Sequence, residues 1–195
     1  YETADALGDA LLFYERFLKD DHSESLPLFA DVRRSSVYNL GHLYRYQEKH
    51  AEHIAALTLS MFDQLPRAVH QCRPADRDLL WAASMLHDIG VAIDYHDHHK
   101  HSAYLILNGG LPGYTHREIA LIALLARYHR KGHPSADEFA HLMEPGDERR
   151  LIQLSALLRL AETELMTALD QAALAEVEAA ARQVATVTAF VPMAL

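Results

Sequence analysis

The stretch Leu79-Leu80-Trp81-Ala82-Ala83-Ser84-Met85-Leu86-His87-Asp88-Ile89-Gly90 decides how the chain is read. Pro74 and Asp76 open a helix through this apolar run, His87-Asp88 falls in its last turn, and Gly90 stops it. Adjacent imidazole and carboxylate groups can both reach one divalent cation. A dipeptide this short arises by chance, so its weight depends on ligand-type residues on inward helix faces elsewhere.

Three such residues stand out. His50 heads HAEHIAALTLSMFDQL, where Ile54, Leu57 and Met61 recur at helical spacing and place His50 near the middle of the apolar stripe. His129 ends THREIALIALLARYH behind Ile119, Ile122 and Ala126. Glu162 sits at the centre of the stripe made by Leu151, Leu154, Leu158, Leu165 and Leu169. An ionised carboxylate in a dry core must be neutralised, paired or bound to a metal.

With 195 residues, half of them hydrophobic, the chain can bury a sizeable core. The lone Cys72 excludes an internal disulfide, and no apolar run is long enough to span a bilayer, so the expected setting is cytoplasmic, with no membrane partner. A net charge of -9 argues against a general nucleic-acid partner, although His98-His99-Lys100-His101 is a local patch that protonation makes basic.

Almost every segment reads as helix. Residues 1–25 are expected to form an N-terminal helix and linker, 26–170 the main helical domain, and 171–195 a C-terminal helix or tail. Ser36 is placed as the cap of a helix running to about Tyr46, and the His50 helix ends near Leu65-Pro66. The polar stretch Asp94 to Lys100 reads as a loop, followed by a short helix HSAYLILN. Thr115-His116-Arg117-Glu118 is a capping box, and Asp147 caps the Glu162 helix.

The ordered set His50, His87-Asp88 and a late acidic residue resembles the HD superfamily of metal-dependent phosphohydrolases. The string HDIGVAIDYHDHHKHSAYLILNGGLPGYTHREIALIALLARYHRK is similar to the C-terminal HD-like domain of the exopolyphosphatase/guanosine pentaphosphate phosphatase (Ppx/GppA) family, over about Asp31 to Asp170. The resemblance implies an all-α HD-domain helical bundle with His50, His87, Asp88 and Glu162 holding a divalent metal of the Mn, Fe, Co, Ni or Mg type. Glu162 stands where the HD pattern has Asp. His101 and His129 fall where further histidines would hold a second metal or a phosphate, with Asp88, Lys100 and Arg130 as catalytic groups. The implied function is hydrolysis of a phosphorylated small molecule, nucleotide or polyphosphate by a metal-activated water.

Duller accounts compete. His129 serves equally as a helix-end cation, and Arg159 paired with Glu162 would satisfy the carboxylate without metal. The actin-like ATPase-type domains of full-length family members are absent from this chain, which leaves a non-catalytic polyphosphate-binding or dimerisation module, seen as a homodimer, as the alternative.

Overall fold

The computed structural model describes residues 31–65 and 72–163. Among these, every regular element is helical: α1 (Val32–Leu43), α2 (Glu48–Gln64), α3 (Pro74–Leu86), a 3-10 turn (Ile89–Ala92), α4 (His98–Gly109), α5 (His116–Tyr128), a second 3-10 segment (Asp137–Leu142), and α6 over 147–163. The all-α expectation therefore holds. The expectations for 1–25 and 171–195 lie outside the described residues.

Local chemistry sets the helix starts. Pro74 occupies the first turn of α3, where a missing N–H costs nothing, and the Arg73 amide donates to Asp76 Oδ2 at 2.6 Å. At α5 the Thr115 amide donates to Glu118 Oε2 at 2.8 Å and the Glu118 amide donates back to Thr115 Oγ1 at 3.3 Å. Ser36 is not a cap. It lies inside α1, and its hydroxyl donates to the Arg33 carbonyl at 2.8 Å, because the helix already begins at Val32.

α3 is the central element, packed by α1, α2 and α5, while α4 lies against α5 and the first 3-10 turn. Its residues Leu79 to His87 are all buried, and Leu80, Met85 and Leu86 meet Ile54 of α2, Ile122 and Leu125 of α5, and Leu151 and Leu158 of α6 in one core. Burial of this kind contributes about 25 cal/mol per Å² of apolar surface. It fixes the end of α3 at the point where His87 and Asp88 emerge.

Gly90 does not end α3 through a left-handed turn: the helix stops at Leu86, and Gly90 is not among the residues with positive φ. Its role is close approach. A Cβ there would stand 2.2 Å from the His98 carbonyl oxygen and 2.4 Å from the Ser102 amide nitrogen. The Gly90 amide donates to Ser102 Oγ at 2.9 Å, which seats the N-terminal half of α4 on the 3-10 turn. That helix also begins earlier than the sequence suggests, at His98, because Asp97 takes a left-handed conformation (φ 56°) and ends the loop.

Candidate metal centre

Helix ends converge on Asp88. His50 lies in the first turn of α2, His87 caps α3, His98 opens α4, His129 caps α5, and Glu162 comes from α6. His50 Nε2 and His87 Nε2 are 3.3 Å apart and lie 3.8 and 3.6 Å from Asp88 Oδ2. Glu162 Oε1 is 2.6 Å from His87 Nε2 and 3.4 Å from His50 Nε2. On the other side, Asp88 Oδ1 lies 3.0 Å from His98 Nε2 and 3.5 Å from His129 Nε2, and those two nitrogens are 3.3 Å apart. Asp88 thus gives one oxygen to each of two ligand groups.

Three of the rings share one local device. The Nδ1 atoms of His87, His98 and His129 lie 2.6, 2.9 and 2.7 Å from the carbonyl oxygens of Ser84, Tyr95 and Ala126, each three residues back. A carbonyl only accepts, so Nδ1 carries the hydrogen and the neutral ring turns its Nε2 lone pair to the cluster. Facing lone pairs repel. With the ring hydrogens committed in this way, the buried Asp88 Oδ1 and Glu162 Oε1 find no hydrogen-bond donor. A shared cation resolves both problems, and the mixed imidazole and carboxylate set suits a divalent transition metal.

The electrostatics agree with that fit. Burial, aided by His87, pushes the His129 imidazole down to about 3, which keeps it neutral and able to ligate. Burial opposes ionisation of Asp88, but the His98 contact and the charge of His87 hold its carboxyl well below the usual range. Burial likewise opposes ionisation of Glu162, and His50 and His87 outweigh it to bring the carboxyl to about 2. His87 is raised despite burial by Glu162 and Asp88, and His98 is raised by Asp88 against burial. Protons therefore compete with metal for these two rings.

The structure brings together His50, His87, Asp88, Glu162 and His129 from the sequence-derived set. His101 lies elsewhere: its Cβ stands against Gly90, and His98, one turn earlier, faces His129. Lys100 is also away from the cluster, its Nζ 2.8 Å from Asp97 Oδ2. Arg159 does not pair with Glu162. It donates to the carbonyls of Tyr128 and Gly132 at 2.6 and 2.5 Å and so caps the end of α5 that carries His129. The left-handed Asp97, which no linear pattern displays, is what puts His98 rather than His101 at the site.

Two clefts adjoin the cluster. One, of about 470 Å³, is lined by Tyr95, His96, Asp97, His99, Arg130 and Lys131 and opens beside the His98–His129 pair. The other, of about 290 Å³, reaches Asp88 itself and is lined by Tyr44, Arg45, Tyr46, Gln47, Val91 and Ala92.

Fold and site together define a class: helical domains whose helix ends gather four imidazoles and two carboxylates into a metal-type cluster. The chain belongs to the family described as Ppx/GppA phosphatase, domain III, whose model matches residues 32–184. It is 31% identical over 101 residues to a guanosine-5'-triphosphate,3'-diphosphate pyrophosphatase of Pseudoalteromonas translucida (strain TAC 125), covering 52% of this chain and 20% of the relative. It is 30% identical over 131 residues to the protein of the same name from Vibrio vulnificus (strain YJ016), covering 67% of this chain and 26% of the relative. The chain thus matches a fifth to about a quarter of the length of these relatives. Among the described residues no helix is long and apolar enough to cross a membrane.

Proposed function

We propose that the chain is an HD-type, metal-dependent phosphohydrolase domain acting on a phosphorylated small molecule, nucleotide or polyphosphate. The observation that carries this reading is the convergence of imidazole Nε2 atoms whose Nδ1 atoms are tied to backbone carbonyls, around an Asp88 that offers one oxygen to each side. His50, His87, Asp88 and Glu162 would hold one divalent cation of the Mn, Fe, Co, Ni or Mg type, and Asp88, His98 and His129 a second. A divalent cation in such a set lowers the pKa of water and offsets charge on phosphoryl oxygens.

The chain's own groups supply the rest. Asp88, ionised at neutral pH, accepts a proton from the attacking water. Arg130 and Lys131 line the larger cleft, where they face anionic oxygens of a bound phosphate. Lys100 acts only indirectly, because it shares Asp97 with Lys131. The single, buried Cys72 suits a reducing compartment, and we place the domain in the cytoplasm.

A second reading, a polyphosphate-binding or dimerisation module without turnover, is favoured by one observation: the curated relatives are four to five times the matched length. Elemental analysis of the purified protein and of Asp88→Ala, followed by a phosphatase screen with the bound metal, separates the two. The hydrolase reading expects near-stoichiometric metal and turnover in the wild type and neither in the variant. Metal without turnover on any phosphate ester or anhydride would give the module reading precedence. No metal even after it is added back would end both metal-based readings.

A further inference from the structure

The larger cleft, beside the His98–His129 pair, holds an anion of its own. Its lining carries Arg130, Lys131 and the buried His99, and Asp97 is the one acidic residue among the described lining groups. Asp97 Oδ1 lies 3.1 Å from Lys131 Nζ and 4.0 Å from His99 Nε2, while Oδ2 accepts from Lys100 Nζ at 2.8 Å. A carboxylate oxygen thus stands between the groups that would receive an oxygen of a bound phosphate.

Backbone needs do not account for a carboxylate at this position. The left-handed φ of 56° at which α4 starts suits glycine best and asparagine as readily as aspartate. Nor does Asp97 cap the helix it precedes. An aspartate in that place ordinarily accepts an amide N–H of the opening turn, whereas the Asp97 side chain makes no such bond and turns instead to Lys100 of α4 and to Lys131 beyond the end of α5. Both pairs are open to solvent, the side chains being 53% accessible for Lys100, 66% for Lys131 and 44% for Asp97. Ion pairs this exposed contribute little to stability, so exchange of one partner for a solute anion meets little resistance.

We propose that Asp97 is a resident competitor in the anion cleft: its carboxylate holds Lys131 in the place of a phosphate oxygen, and an incoming phosphate group must take Lys131 from it. On exchange the Lys131 ammonium and the edge of the His99 ring pass to the phosphate, and Lys100, on the other carboxylate oxygen, keeps Asp97. Asp97 thereby sets the affinity of the cleft and sorts anions by charge. A singly charged anion gains no more from Lys131 than Asp97 already does, whereas a phosphate group carrying two charges gains more. This inference rests on the reading that Arg130 and Lys131 receive phosphoryl oxygens, but the competition can be measured without turnover.

The test is calorimetric binding of methylenediphosphonate, a diphosphate analogue whose P–C–P bridge resists hydrolysis, to the purified protein at one low ionic strength. The forms compared are the wild type, Asp97→Asn, Asp97→Gly, Lys131→Ala and the Asp97→Asn, Lys131→Ala double variant. Asparagine and glycine both suit the left-handed backbone, so either variant serves if the other folds poorly. Each should bind about fivefold more tightly than the wild type, the scale of one unit charge about 4 Å away in a solvated site. Lys131→Ala should weaken binding about twofold or less in the wild type and about fivefold or more in the Asp97→Asn background, because only there is its ammonium released. Equal losses in the two backgrounds would show two independent charges and overturn the competition. Unchanged or weaker binding in both Asp97 variants, a lowered Tm without tighter binding, or no binding to any form would overturn it as well. The expected coupling in a protein that hydrolyses no phosphate ester or anhydride would uphold the role of Asp97 and end the hydrolase reading. Hydrolysis without the coupling would do the reverse.

Discussion

Replacing Gly90 by Ala tests whether the 3-10 turn positions the second ligand group. The new methyl would stand 2.2 Å from the His98 carbonyl oxygen, 2.4 Å from the Ser102 amide nitrogen and 2.8 Å from the His101 Cβ, whereas ordinary contact begins near 3.4 Å. Two of these neighbours are backbone atoms, so relief requires the start of α4 to recede by about 1 Å, since packed interiors have no slack for a smaller adjustment. Overpacking of this kind costs about 1–3 kcal/mol. A recession of that size moves His98 Nε2 from its places 3.0 Å from Asp88 Oδ1 and 3.3 Å from His129 Nε2. Metal sites tolerate displacements of about 0.2 Å. Gly90→Ala should therefore lower Tm by roughly 2–10 °C and abolish the weaker of two metal-binding steps in a Mn²⁺ titration, with the step assigned to His50, His87 and Glu162 retained. A variant with unchanged Tm and both steps intact would refute the argument that the turn and α4 are locked through this glycine.

Asp147 is fully buried at the start of α6, where it accepts from Arg117 Nε at 2.7 Å, from Arg150, and from the Glu144 amide at 2.7 Å. Burial opposes its ionisation, yet these donors hold its carboxyl below the ordinary carboxylate range. Its contribution is thus present above about pH 4 and lost as the pH falls from there towards the lower folded-state value. Asp147→Asn should cost about 3 kcal/mol at pH 7 by taking the buried carboxylate from Arg117 and Arg150, which keep only their longer pairs with Glu144 and Asp76, and its Tm should fall less between pH 5 and pH 3 than that of the wild type; parallel profiles would disprove the linkage. For Cys72, burial and the nearby Asp76 push the thiol up to about 11, so iodoacetamide should label it at neutral pH only as denaturant opens the fold. Rapid labelling of the native protein would show that the α3–α6 side of the core is open.

Periodicity exposed the parts of the site that lie on helix faces. His50 and Glu162 could be found because each interrupts an apolar stripe whose members, among them Ile54, Leu151 and Leu158, are fully buried. His87-Asp88 could be found because an unbroken buried run ends on it. The features that escaped are set by backbone geometry. His98 was indistinguishable from His99 and His101 until the left-handed Asp97 fixed where α4 begins. Gly90 read as a helix stop because sequence records that a Cβ is missing, not which backbone will occupy the space. Arg159 read as a partner of Glu162 by proximity on one helix, whereas the carbonyls it caps are 31 and 27 residues away in sequence.

The carbonyls of Ser84 and Ala126 belong to the last turns of α3 and α5, where no further helical N–H follows to satisfy them. The rings of His87 and His129 do so instead, which makes the termination of each helix and the aiming of its ligand a single event. Occupancy of the cluster is consequently linked to fraying. A cation bound at a hundred times its dissociation constant would add about 2.7 kcal/mol to the intact state, and amide exchange at the ends of α3 and α5 would slow in step with it. In such an arrangement the helix termini report on the metal as faithfully as the metal's own ligands do.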